Sequence, residues 1–404
     1  MKMIFSIVAW FCALASARSG DLPMWTNVRS VLPEADWKYI ASRYRLVFTL
    51  FSPTAGGKDI SSENERIKWI KSLNPNLTIL VYGSAINTAN FRLRSWRQPR
   101  EHPEWYLKDE DGHWLTDWEY TGAVHLDPGN VEWQQYVGRT LKEYIDRYGY
   151  DGVFLDLTQT TTQYVNFKKT KKAVNPRTAQ PYTDAEWKAA NLALLRTVRH
   201  YLGNKWIITN GSRGRDYFRT GYADFFEFAD GMCNEGFTGW SAGGPEHFGS
   251  LEDWKADVQA LVDCAKRGKI VLAVSNVKRS QTGEPSEPYE HRHRYATASF
   301  LLGMGHRHYL MFYGKVPGKP ESFTRDTEVL PSCANVTLGA PRGAYESKDG
   351  IYQRPFVRGR VFVNPTTRET RLQLSGQWKT AEGQSVRSPL LLPAHTGIIL
   401  LHEK

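Results

Sequence analysis

Asp151-Gly152-Val153-Phe154-Leu155-Asp156-Leu157 is the stretch on which the fold turns. Between its two aspartates lie only apolar residues and a glycine. A strand covered on both faces has this composition, and such strands belong to parallel sheets wrapped by helices. Its flanks agree. Upstream, Asn130 is placed to cap a helix whose apolar residues Tyr136, Val137, Leu141, Tyr144, Ile145 and Tyr148 recur at helical spacing, and Gly149 ends it. Downstream, a second helix runs from about Asp184 to Leu202 and is closed by Gly203.

The same alternation extends in both directions. Strands are expected at Arg45–Ser52, Thr78–Tyr82, Val124–Leu126, Gly152–Leu157, Trp206–Thr209, within Phe225–Cys233, at Lys269–Ser275 and at His308–Tyr313. Ser61 or Ser62 opens a helix through Leu73, Ser250 with Asp253 opens one to Arg267, and His291–Leu302 reads as another. Strand–helix alternation implies parallel strands joined by right-handed crossovers. Eight strand candidates over residues 18–322 predict an α/β chain folded as a (β/α)8 TIM barrel. A doubly wound open sheet is the rival, but the chain has no G-x-G-x-x-G or G-x-x-x-x-G-K-[ST] turn.

Both ends depart from this rhythm. Lys2, the apolar run Met3–Leu14 and Ala15-Ser16-Ala17 read as a signal peptide over residues 1–17, which implies a secreted or periplasmic protein. That run is short for a bilayer span, and no integral membrane segment is expected elsewhere. From residue 323 to 404 short β-rich runs are split by turns. Gly359–Val363, Thr370–Leu374 and Gly397–Leu401 are examples, and they predict a small all-β sandwich.

The 404 residues carry 14 Trp and 20 Tyr, side chains that stack on sugar rings and also fill cores. The formal charge is +10, with one dense run at Lys168–Lys172 (KKTKK). A solvated loop or a polyanion contact are its two readings, and no nucleic-acid partner is expected. Past the signal, Cys233, Cys264 and Cys333 are odd in number, which excludes a full disulfide framework and leaves one bridge open. There is no C-x-x-C and no H-E-x-x-H, so neither a metal site nor a cofactor is expected, although His291-Arg292-His293 and His306-Arg307-His308 are clustered.

In such a barrel function gathers at the carboxyl ends of the strands. Asp151 opens its strand and belongs to the opposite face; Asp156 closes it and is the catalytic candidate. A second carboxylate should come from another strand end, and Glu235, in Asn234-Glu235-Gly236-Phe237, is the choice over Glu227 and Asp230. Two carboxyl groups flanking a bond are what glycoside hydrolysis needs. Tyr82, Asp127, Asn210, Asn276, His308 and Tyr313 are candidates for holding an oligo- or polysaccharide substrate. Trp105, Trp114 and Trp118 either line a cleft rim or pack their long loop.

Asp127-Pro128-Gly129, the Asp151–Asp156 strand, Asn234–Phe237, Arg354-Pro355-Phe356 and Gly359–Thr366 follow one another in an order that resembles the hypothetical glycoside hydrolase family 15. That family is similar to endo-α-1,4-polygalactosaminidases and, more distantly, to α-galactosidase-type barrels. The resemblance covers nearly the whole mature chain. It implies Asp156 as nucleophile, Glu235 as acid/base, and retention of configuration at an α-linkage. A catalytically silent carbohydrate-binding barrel is the alternative.

Overall fold

The computed structural model describes residues 22–28, 32–49, 60–88, 101–119, 122–239, 247–278, 287–315 and 330–403. The signal-like segment, Trp240 and the boundary expected at residues 322–323 lie outside these.

Eight parallel strands form the barrel: β1 (Trp25–Val28), β2 (Leu46–Thr49), β3 (Thr78–Ser84), β4 (Gly152–Asp156), β5 (Trp206–Asn210), β6 (Gly231–Asn234), β7 (Ile270–Lys278) and β8 (His308–Lys315). They pair in that order. A parallel bridge between Met24 and Leu310, with the Leu310 amide donating to the Pro23 carbonyl at 2.9 Å, joins the last strand to the first. Among the described residues seven helices accompany them: α1 (Glu34–Arg43), α2 (Ile60–Leu73), α3 (Val131–Tyr148), α4 (Asp184–Leu202), α5 (Gly214–Arg219), α6 (Leu251–Lys266) and α7 (Glu287–Gly303).

Of the expected caps, those at Asn130, Gly149 and Ser250 are present, whereas α2 already begins at Ile60, before Ser61 and Ser62. Asn130 accepts from the Trp133 amide, and Gly149 takes φ +83. Thr183 and Glu186 form a reciprocal capping box at the start of α4, and Ser250 accepts from the Asp253 amide at the start of α6.

Alternation along each strand sorts side chains into two cores. Leu46, Phe48, Leu80, Phe154, Ile208, Cys233, Leu272, Val274 and Met311 fill the barrel interior. Their neighbours Val47, Ile79, Val81, Val153, Leu155, Ile207, Val271 and Leu310 face the helices. Each such buried aliphatic or aromatic side chain contributes roughly 1.5–3 kcal/mol of transfer free energy. Gly152 and Gly231 sit at the closed end because bulk is already supplied there. A Cβ at either would stand 2.1 Å from the Trp206 carbonyl oxygen or 2.2 Å from that of Ile270.

Two strand assignments change. Trp25–Val28 is the first barrel strand, and Val124–Leu126 is not a barrel strand. The latter makes isolated antiparallel bridges to Thr116, Asn87 and Tyr106 inside the β3–α3 excursion. The two errors offset, so Asp156 still ends the fourth strand and Glu235 still follows the sixth.

After the barrel come antiparallel strands. A six-stranded sheet runs Glu346–Lys348, Ile351–Pro355, Gly359–Asn364, Thr396–His402, Trp378–Thr380, Ser385–Val386, and a two-stranded sheet pairs Thr370–Leu372 with Leu390–Leu392. Ile351, Phe362, Leu372, Trp378, Leu392 and Leu400 pack as one core drawn from both sheets. On its other side the larger sheet meets α7. Gly397 lies so close that a Cβ there would be 2.5 Å from the Ala298 Cβ. Arg354 donates to the Leu301 and Met304 carbonyls (3.0 and 2.9 Å), covering the carboxyl end of α7. Phe356, Val361, Val363 and Ile399 belong to the same continuous core as the barrel helices.

Candidate active site

Inward parity carries from the barrel core to its mouth. Tyr82 follows Leu80, Asp156 follows Phe154, Asn210 follows Ile208, Asn276 follows Val274 and Tyr313 follows Met311, each two residues on. These five candidates therefore come to one ring. Phe48 and Phe154 stack beneath it, with centroids 4.2 Å apart, and Tyr82 lies within 6.1 Å of both. The floor of the site is aromatic.

Asp156 is bound on both oxygens. Oδ2 accepts from the Tyr82 hydroxyl at 2.5 Å; Oδ1 accepts from Asn210 Nδ2 at 2.9 Å and from the Leu157 amide at 2.8 Å. Leu157 itself has φ +57, a left-handed conformation costly for a branched side chain. Strain of this kind persists where the surroundings over-determine the backbone, and active sites are enriched in it. Beside it, Gly211 makes close approach possible: a Cβ there would be 2.5 Å from the Thr158 carbonyl oxygen.

Glu235 opens the turn after β6 and is half-buried. Burial pushes the Cys233 thiol well up, and the negative charges of Glu235 and Asp156 add to it. That turn is held by two groups from outside the barrel. Asp257 of α6, itself buried, accepts from Asn234 Nδ2 (2.8 Å), the Thr238 amide (2.8 Å) and the Gly214 amide (3.0 Å). Arg292 of α7 donates to the Thr238 and Gly239 carbonyls, both at 2.9 Å. Burial raises the Asp257 carboxyl to about 6 and lowers the Arg292 guanidinium to about 10. Thr238 has φ +60, so each candidate carboxylate is followed closely by a residue in the left-handed region.

Two expected substrate contacts are corrected. His308 begins β8 rather than ending it, so it lies at the amino end of the barrel, opposite the mouth. It is fully buried, and its Nδ1 accepts from the Gly305 amide at 3.0 Å. Burial lowers it to about 3. Asp127 is also buried, and its Oδ1 accepts from the Tyr182 hydroxyl (2.6 Å) and the Gly129 amide (2.9 Å). Through these bonds it fixes the turn before α3.

The rivals of Glu235 are placed elsewhere. Asp230 pairs with Arg199 at 2.6 Å and accepts from the Ile207 amide at the amino end of β5. Asp151 does the same one strand pair earlier, with Lys71 and the Ile79 amide. Glu227 lies in a 3-10 turn before β6. Asn27, inward on β1 beyond Trp25 and buried, is a member of the mouth ring that the sequence reading passed over, as were Asp257 and Arg292.

The clustered histidines disperse. His293 meets Ser275 at 2.8 Å and His291 meets Thr396 at 3.2 Å. Among the described residues no group of three His, Cys, Asp or Glu side chains is arranged to hold a metal ion. Cys233, Cys264 and Cys333 are buried thiols, none of them in a disulfide. No helix among the described residues is long and apolar enough to cross a membrane.

An eight-stranded parallel barrel with carboxylates at the carboxyl ends of its strands is an architecture that glycoside hydrolases use. Residues 71–360 match the model of "hypothetical glycosyl hydrolase family 15", and the chain belongs to that family of glycoside hydrolases. Solved structures share the fold. An α-amylase from Geobacillus thermoleovorans, complexed with acarbose, superposes with a TM-score of 0.54 at 13% identity, covering 95% of this chain and 98% of the other. A maltogenic α-amylase, AmyB, from Thermotoga neapolitana gives 0.52 at 12% identity, over 95% and 99%. No curated protein matches the chain by sequence.

Proposed function

We propose that the protein is a retaining α-glycosidase that acts outside the cytoplasm, with Asp156 as nucleophile and Glu235 as acid/base. The observation that carries this reading is the fixing of Asp156 by Tyr82 and Asn210 at the end of β4. A carboxylate whose two oxygens are oriented by neighbouring strands is presented to a bound sugar without further ordering.

In the first step an Asp156 oxygen attacks the anomeric carbon while Glu235 gives its proton to the departing glycosidic oxygen. In the second, Glu235 takes a proton from water, the hydroxide oxygen bonds to the anomeric carbon, and the Asp156 ester bond breaks. Tyr82 and Asn210 steady the carboxylate as its charge is used and restored. The α-linkage rests on the family resemblance and on α-amylases sharing the fold; the extracellular setting rests on the signal-like first 17 residues.

The test is release of sugar from α-linked polysaccharides and aryl α-glycosides by the wild type, Asp156→Asn and Glu235→Gln. Turnover by the wild type alone, with the first product in the α configuration by NMR, is expected. A first product in the β configuration overturns retention. Full activity in either variant overturns its assignment. Saccharide binding with no turnover on any substrate replaces the hydrolase with a binding barrel.

A further inference from the structure

The connections after the neighbouring strands β3 and β4 are laced together where residues 108–116 of the first meet residues 169–174 of the second. Val174 donates its amide to the Lys108 carbonyl (2.9 Å), Lys172 its amide to Glu110 (2.8 Å), and Lys169 its ammonium to the Thr116 hydroxyl (3.1 Å). Lys171 pairs with Asp111 at 3.3 Å. Most of the KKTKK run is thus used to hold one loop against the other.

Lys168 is the exception. Its ammonium lies over the rings of Trp118 (5.5 Å) and Phe167 (5.4 Å), and among the described residues it has no carboxylate partner. Its backbone sits at φ +56, which a lysine adopts only when its neighbours impose it. Trp118 and Phe167 pack at 4.8 Å yet remain 39% and 43% exposed, an aromatic surface open to solvent.

The surface is rigidly mounted. Asp117, next to Trp118 and buried, accepts from Asn87 Nδ2 (2.9 Å) and the Glu119 amide (2.8 Å), with the Tyr164 hydroxyl 3.4 Å from each of its oxygens. Asn87 follows three residues after Ser84, whose register partner is Asp156. The platform is therefore tied to the strand beside the proposed nucleophile. A loosely packed surface aromatic has no need of a buried carboxylate behind it.

We propose that Trp118, Phe167 and Lys168 form a subsite for an anionic sugar, a uronic acid or a sulfated residue, on the polysaccharide that enters the barrel mouth. The rings stack on a sugar's C–H face, and the unpaired ammonium meets its acidic substituent. This names the substrate class of the site above and rests on that reading.

Affinity electrophoresis through gels containing polygalacturonate, dextran sulfate or neutral dextran tests it, with wild type, Trp118→Ala, Lys168→Met and Asp156→Asn. Retardation by an acidic polymer well beyond that by dextran is expected, and the polymer that retards more identifies carboxylate or sulfate. Trp118→Ala should weaken this roughly tenfold, Lys168→Met should lose most of the preference for acid over neutral polymer, and Asp156→Asn should be retarded like wild type. Wild-type mobility unaltered by both acidic gels, or Lys168→Met indistinguishable from wild type while its thermal midpoint is unchanged, overturns the subsite. Retardation without sugar release from any polymer overturns the hydrolase and leaves the subsite standing.

Discussion

The Tyr82 hydroxyl lies 2.5 Å from Asp156 Oδ2, across adjacent strands whose register sets Tyr82 opposite Phe154. The phenol reaches two residues along its neighbour to the carboxylate, while Asn210 takes the other oxygen from the opposite side. A hydrogen bond to a charged group contributes about 1.5–3 kcal/mol. Tyr82→Phe should therefore lower kcat/KM on an aryl glycoside by roughly 10- to 100-fold, chiefly in kcat, and lower the thermal midpoint by several degrees. Unaltered kinetics would remove Tyr82 from the machinery.

Asp257 positions Glu235 without touching the mouth itself. Asp257→Ala leaves three buried donors, from Asn234, Thr238 and Gly214, without an acceptor. A loss of about 3–5 kcal/mol is expected for this breakage. Asp257→Asn keeps the shape and two acceptor bonds. It should fold, and should lose kcat more than it changes KM, because the turn carrying Glu235 loosens. A variant with wild-type kcat would show that β6 alone sets Glu235.

His308 gives stability a pH dependence. Its folded value, about 3, lies below the 6.5 of an exposed imidazole because burial opposes charging. Between those values the unfolded chain binds a proton that the folded chain does not, so stability falls as pH falls, by about 1.4 kcal/mol per pH unit from this group. Asp257 runs the other way. Its folded value of about 6 lies above 3.8, so its contribution is fully present below pH 3.8 and is lost as pH rises through 6. Denaturant midpoints from pH 7 to pH 4 should fall in the wild type, fall less in His308→Asn, and fall more in Asp257→Asn. Parallel profiles for all three would contradict both assignments.

Gly152 opens β4 against the backbone of β5. Its replacement by Ala puts a carbon 2.1 Å from the Trp206 carbonyl oxygen, in a layer that has no slack. Gly152→Ala should cost about 3 kcal/mol or more, read as a lowered thermal midpoint. Gly203→Ala, in open space at φ +55, should cost less. Equal losses at the two positions would refute the packing argument.

How far the sequence was legible follows from how local each signal is. The strand Gly152–Asp156 declares itself because it is covered on both faces, and Asn130 and Ser250 declare their helices through caps. The strand Trp25–Val28 carries only four residues, two of them Thr and Asn, and lacks an apolar run. Val124–Leu126 looks more like a strand but pairs only within its excursion. His308 was misplaced against the rule that separated Asp151 from Asp156: it opens the expected strand His308–Tyr313, and the same rule puts it at the amino end. Asp257 and Arg292 are invisible in sequence: each reads as an ordinary helix residue, and the groups they hold lie 19–43 and 53–54 residues away.

The helix shared between barrel and tail has a further consequence. α7 gives one side to the barrel and another to the antiparallel sheet, and from it Arg292 reaches the turn bearing Glu235. The guanidinium lies 4.7 Å over Phe248, and Phe248 stacks on His395 of the tail at 4.5 Å. The tail is therefore no detachable cargo. A chain cut before residue 330 would strip the outer flank of α7 and the backing of its arginine together. Shortening or exchanging this tail would disturb the turn that bears Glu235 as well, so the two parts hold their shape only as a pair.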